Sequence, residues 1–160
     1  MGMRWDKNVF KAGIFDRLVD LEPLTPGEEH RQKQVFNKKE LIDSVLGELV
    51  RLLNTRVPVS SDQLKFGERS VIDYGIPEFT YQKFKHPNDK KQLARVLKET
   101  IESFEPRLKR VRVSLDDSES LENRIVCVIE AHLVVESVSE PVLFPIAIDP
   151  LSGEVNLDAG

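Results

Sequence analysis

Apolar residues recur first with a helical period and then with a strand period, and the switch falls at Pro106. Ile42, Val45, Leu46, Leu49, Val50 and Leu53 follow one another at helical spacing, with Asp43, Glu48 and Arg51 on the other side. That is the pattern of a helix with one buried face. Asn37 followed by Glu40 reads as a capping box, in which each residue satisfies a free backbone N–H of the other. The helix should end near Asn54, Thr55 and Arg56, because Pro58 cannot continue it. A second helix should begin near Asn88 and Asp89, with acid at the positive end of its dipole. Its apolar stripe is Leu93, Val96, Leu97, Ile101 and Phe104. Glu105 should stop it, since the residue before a proline is pushed out of the α region.

Beyond Pro106 the alternation is twofold. Val111, Val113 and Leu115 alternate with Arg110, Arg112 and Ser114, and Asp116 to Ser120 make a polar turn. Ile125, Cys127, Ile129, Ala131, Leu133 and Val135 share one face of a long strand. Val142, Phe144, Ile146 and Ile148 share one face of the next. Asp149 to Gly153 form a turn, and Val155 and Leu157 fit a short final strand. The expected fold is α+β: two main helices packed on an antiparallel meander sheet of three to four strands, with an N-terminal extension. The expected division is 1–36 as extension and linker and 37–160 as the α+β domain. Within the extension, Gly13 to Leu18 carry apolar residues at helical spacing and Glu22 to Gly27 have linker composition. So short a segment must dock on the domain or on a partner. Ser70 to Pro77 read as a short helical turn or structured loop stopped by Gly75 and Pro77, and Thr80 to Pro87 as a surface loop.

Composition narrows the function classes. The chain has 160 residues, 40% hydrophobic and 31% charged, with a net charge of −4. One domain with a decorated end fits that length. No apolar run approaches the ~18–20 residues of a membrane span. Met1 to Arg17 lack an apolar core, so a secretory leader is not expected, and Asp6 disagrees with a myristoylation signal at Gly2. The charge balance disfavours nucleic acid as a partner. A single cysteine, Cys127, permits no internal disulfide and suits a reducing cytoplasm.

Candidate chemistry is sparse. His30, His86 and His132 are scattered without metal-ligand spacing. Cys127 lies on an apolar strand face, where a buried, inert thiol is the expectation. Among 27 carboxylates the best placed is Glu105, at the helix-to-strand corner. A general acid needs a raised pKa, usually from apolar burial. Arg107, Lys109 and Arg110 would instead favour the charged form. Glu105 and Arg107 therefore read as a docking contact or as a brace of their own corner. Arg51, Asn54 and Arg56 make a polar, basic end to the first helix, either a contact or ordinary dipole compensation.

Three stretches together resemble one family: Leu49 to Arg56, Ser70 to Phe79, and Ile101 to Leu108 followed by Val111 and Val113. They look like the phage baseplate wedge family, long labelled lysozyme-related, that includes the TssE subunits of bacterial type VI secretion systems. Phe15-Asp16-Arg17-Leu18 is similar to the opening segment common in TssE proteins. The Glu-Pro-Arg triplet after a helix, here Glu105, Pro106 and Arg107, is the signature. The resemblance implies a non-enzymatic wedge subunit that offers sheet edges to the first sheath ring and helps nucleate sheath assembly. The implied partners are the baseplate proteins TssF, TssG and TssK and the sheath proteins TssB and TssC, with no nucleic acid and no membrane insertion. It implies a cytoplasmic protein recruited to a membrane-associated baseplate, with no cofactor, metal or catalytic residue. The implied partner-binding set is Glu105, Pro106 and Arg107, with Arg51, Asn54, Arg56 and Tyr74. A contractile phage wedge protein and a peptidoglycan hydrolase are the alternative readings.

Overall fold

The computed structural model describes residues 10–11, 35–58, 69–78, 87–115, 124–135, 138–149 and 151–157. The expected helical spacing at Gly13 to Leu18, the loop over 80–86 and the polar turn over 116–120 lie outside them. The chain forms two compact units, Met1–Gly47 and Glu48–Gly160.

In the first unit β1 (Phe10–Lys11) pairs antiparallel with β2 (Val35–Phe36), Phe10 opposite Phe36. Helix α1 (Lys38–Asn54) starts in this unit and runs into the second. Its capping box is present as expected. The Asn37 N–H donates to Glu40 Oε2 at 2.9 Å and the Glu40 N–H donates to Asn37 Oδ1 at 3.0 Å. Such a cap is worth about 1 kcal/mol.

The buried side of α1 differs from expectation. Leu41, Val45, Leu49, Leu52 and Leu53 are buried, whereas Ile42, Leu46 and Val50 are half-buried. Two adjacent rows of the helix are apolar, and periodicity alone does not say which is innermost. The shift of about one position turns Glu48 from the polar side to a half-buried edge. Three of the C-terminal carbonyls are engaged. Thr55 Oγ1 donates to the Arg51 carbonyl at 2.8 Å, the Thr55 N–H to Leu52 at 3.3 Å, and Arg56 Nη1 to Leu53 at 2.7 Å.

β3 (Arg56–Val57) pairs in parallel with β4 (Ile76–Pro77), a pairing without a sequence signal. Between them Val71–Asp73 form a single 3₁₀ turn. Gly75 makes the approach possible: it sits at φ +125°, and a Cβ there would stand 2.5 Å from the Thr55 carbonyl oxygen.

Helix α2 (Pro87–Phe104) buries Leu93, Val96, Leu97, Thr100 and Ile101 and leaves Phe104 half-buried. It stops before Pro106, as expected. The sheet that follows has the order β5-β6-β7-β8, antiparallel throughout: β5 (Leu108–Leu115), β6 (Ile125–Val135), β7 (Val138–Ile148) and β8 (Val155–Leu157). Helix α2 packs along β5. The inner face carries Cys127, Ile129, Ala131 and Leu133 of β6 beside Val142, Phe144, Ile146 and Ile148 of β7, with Phe144 opposite Ile129 and Ile146 opposite Cys127. These cross-strand apolar pairs are what hold a meander together. The expected α+β fold is therefore present, with four strands in the main sheet.

Candidate docking corner

Glu105 leaves α2 with its N–H still donating to the Ile101 carbonyl at 2.8 Å, and its own carbonyl accepts the Leu108 N–H at 3.1 Å. The chain thus turns once over Pro106 and Arg107 and enters β5. The Arg107 carbonyl accepts the Val134 N–H at 2.7 Å, which ties the turn to β6. Pro106 supplies the fixed φ and sits exposed at the tip.

Inside that turn the acid and the base hold each other. Arg107 Nε donates to Glu105 Oε1 at 2.8 Å and Nη2 to Oε2 at 2.6 Å, a bidentate fork. The Arg107 backbone N–H also donates to Oε1, at 3.1 Å. Glu105 is only 3% exposed. Arg107 Nη2 lies 3.3 Å from Glu48 Oε2 on α1, so one guanidinium bridges a helix and the corner. Glu48 was not expected at the site. Its only sequence signal is an acid three and four residues from the buried Val45 and Leu52, which becomes visible once the helix face is known.

Tyr74 stands nearby. Its ring meets Phe104 edge-on, with centroids 5.3 Å apart at 68°. Burial raises its phenol pKa, the Glu48 and Glu105 carboxylates raise it further, and Arg51 opposes them. Arg69, also missed from sequence, lies under the same group. Its Nη1 donates to Thr100 Oγ1 at 2.8 Å, its Nη2 to the carbonyls of Asp73 and Gly75 at 2.7 Å each, and its guanidinium lies 4.7 Å from the Phe104 ring centroid. Burial lowers its pKa, against Asp73 and Glu99.

The other expected residues lie elsewhere. Asn54 Nδ2 donates to the Val155 carbonyl and its Oδ1 accepts the Val155 N–H, both at 2.8 Å, so its amide pairs with edge strand β8 as a peptide unit would. Arg56 Nη2 donates to the Gly153 carbonyl in the turn before β8. Both side chains fasten the end of α1 to the β7–β8 turn. Arg51 is exposed in the last turn of α1. Structurally, then, Glu105, Arg107 and Tyr74 gather around Glu48, and Asn54 and Arg56 form a separate anchor.

Cys127 is fully buried, and burial pushes its thiol up to about 12. No described helix is long and apolar enough to cross a membrane.

The chain belongs to the baseplate wedge protein gp25 family, whose profile matches residues 39–138, and its role is that of a structural baseplate component. No curated protein sequence matches it. Among solved structures it is similar to a chain of the baseplate complex from the type VI secretion system, with 26% identity over 69% of this chain and 96% of that one and a TM-score of 0.48. It is also similar to a protein described as a tail lysozyme from Geobacter sulfurreducens, with 18% identity over 66% and 88% and a TM-score of 0.45. At these TM-scores neither likeness bears on function.

Proposed function

We propose that this chain is a non-enzymatic wedge subunit of a type VI secretion baseplate, and that it helps to nucleate the contractile sheath. The observation that carries this reading is the Glu105–Arg107 pair inside a gp25-family chain. Glu105 is buried and both its oxygens are engaged by Arg107, an arrangement suited to a fixed corner rather than to a carboxyl that must give up and regain a proton. The TssE-like opening segment Phe15-Asp16-Arg17-Leu18 favours the type VI version over a phage particle. Its partners are TssF, TssG and TssK in the baseplate and TssB and TssC in the sheath, reached from the cytoplasmic side.

In this reading Glu105 is a positioning residue. It sets the direction of Arg107, and Arg107 with the exposed Pro106 selects the partner and its register. Sheet edges supply main-chain hydrogen bonds, which are tolerant of sequence, so the corner side chains provide selectivity. Residues 1–36 act as a docking extension to the 37–160 domain. The test is TssG co-purification and sheath assembly for Arg107→Ala and Arg107→Lys in cells. Both should lose assembly, and Arg107→Lys should do so while still folded. Normal assembly with a folded Arg107→Ala chain overturns the reading. Hydrolysis of peptidoglycan by the purified chain would favour the hydrolase alternative.

A further inference from the structure

Strand β5 contains an irregularity that alternation did not predict. Lys109 pairs with His132 and Arg112 with Glu130, so Arg110 and Val111 together oppose Ala131. Arg110 occupies the bulge at φ +54°, a left-handed conformation that costs a non-glycine residue about 1–2 kcal/mol. The effect on side-chain direction is specific. Leu108 and Val111 are both buried, while Lys109, Arg110 and Arg112 are all exposed. Uninterrupted alternation from Leu108 would have turned Val111 out and Arg112 in. The bulge instead keeps three cations on the outer side of the sheet.

Those cations have neighbours of a particular kind. Across the strands, Lys109, His132 and Pro141 form one row and Arg112, Glu130 and Leu143 the next. Leu143 is 65% exposed, a large aliphatic residue facing water. Arg110, Arg112, Glu130, His132, Pro141 and Leu143 take part in lining a depression of about 390 Å³. The side chains of Lys109, Arg110, Arg112, Glu130 and His132 make no hydrogen bond or ion pair among the described residues. Among the described residues three full positive charges thus stand beside a single carboxylate, on a chain whose net charge is −4. Elsewhere among the described residues Arg56, Arg69, Arg95 and Arg107 donate hydrogen bonds within the chain, while Arg51 is exposed.

We infer that the bulged outer face of β5, β6 and β7 is a docking surface for an acidic protein segment that carries an aliphatic residue. Its carboxylates meet Arg110 and Arg112, and its aliphatic side chain rests on Leu143 and Pro141. Guanidinium groups held on a strand suit carboxylates bidentately, and an exposed leucine beside them is the apolar centre such contacts need. A polyanion such as nucleic acid fits worse, because Glu130 stands among the cations and the chain as a whole is acidic. The surface is distinct from the Arg107 corner and does not depend on its assignment.

The experiment places the photo-crosslinking residue p-benzoylphenylalanine at position 143 of the full chain, in cells that assemble the whole baseplate. The crosslinked peptide is then identified by mass spectrometry. The expected product is a protein peptide with at least two acids flanking an aliphatic residue, its yield falling about tenfold in an Arg110→Glu/Arg112→Glu variant, as reversal of an interface charge pair predicts. Arg110→Gly keeps the bulge conformation without its strain and removes one cation. It should fold at least as stably as the parent and still lose about threefold in yield. Four outcomes would overturn the inference: no crosslink in assembled baseplates, a crosslink to a neutral or basic peptide, a crosslink to nucleic acid, or a yield unchanged in Arg110→Gly and in the reversal variant.

Discussion

Replacing Arg107 by alanine removes the two guanidinium hydrogen bonds to Glu105 and the 3.3 Å contact with Glu48. The Glu105 side chain, 4% exposed, keeps the residue-107 backbone N–H as its partner. Breaking a buried ion pair from one side costs about 3–5 kcal/mol, because the remaining charge stays desolvated. Arg107 itself is 21% exposed, so water can enter where it stood and screening lowers the figure. We expect about 2–3 kcal/mol. Arg107→Lys should lose about 1–2 kcal/mol, since an ammonium cannot grip both oxygens. Glu105→Gln should also lose about 1–2 kcal/mol, because Arg107 retains Glu48 and a neutral acceptor. Urea unfolding of the full chain at pH 7 and physiological salt reads these values, with unchanged m-values showing that the unfolded state is the same. The double variant isolates the pair, and its coupling should be at least about 1 kcal/mol. An Arg107→Ala midpoint equal to the parent's, or a coupling near zero, would refute the view that this pair braces the corner. The result also sets how an assembly defect is read. If Arg107→Lys folds and still fails to assemble, the guanidinium acts on a partner as well as on Glu105.

Three further outcomes follow from single contacts. Gly75→Ala should destabilise by at least about 2 kcal/mol in urea unfolding, because φ +125° and a 2.5 Å approach to the Thr55 carbonyl leave a Cβ no room; a loss below 0.5 kcal/mol would contradict that geometry. Asn54→Ala should cost about 1–2 kcal/mol and speed amide exchange selectively at Val155, whose N–H and carbonyl it binds. Cys127, with its thiol pushed up to about 12, should resist alkylation at pH 8 in the native chain and react at once in urea. The unfolded thiol ionises near its ordinary value and the folded one does not, so the contribution of Cys127 to stability is intact below about pH 8.5 and declines as pH rises from there towards 12.

What was legible in the sequence follows from how far each cause acts along the chain. The Asn37–Glu40 box, the stop before Pro106 and the alternation of β6 and β7 arise within a few residues of their own signals. The pairing of Arg56–Val57 with Ile76–Pro77 does not, being two dipeptides too short to have a period. Nor does the Asn54 amide, which reaches Val155 101 positions away. Glu48 shows the intermediate case. The helix was legible, but with two apolar rows side by side its rotation was not, and a turn of one residue decides whether Glu48 meets water or Arg107.

The bulge at Arg110 is the most informative of these departures, because local preference argues against it. Glycine or asparagine would hold φ +54° at lower cost, yet an arginine stands there. Stability alone therefore does not account for the residue. At the Arg107 corner, charge is matched inside the chain and the backbone turn is relaxed by proline. Three residues further on, charge is left unmatched and the backbone is strained to keep it outside. A corner that neutralises its cation, followed at once by a strand that displays its own, is the arrangement expected if the strand meets a partner.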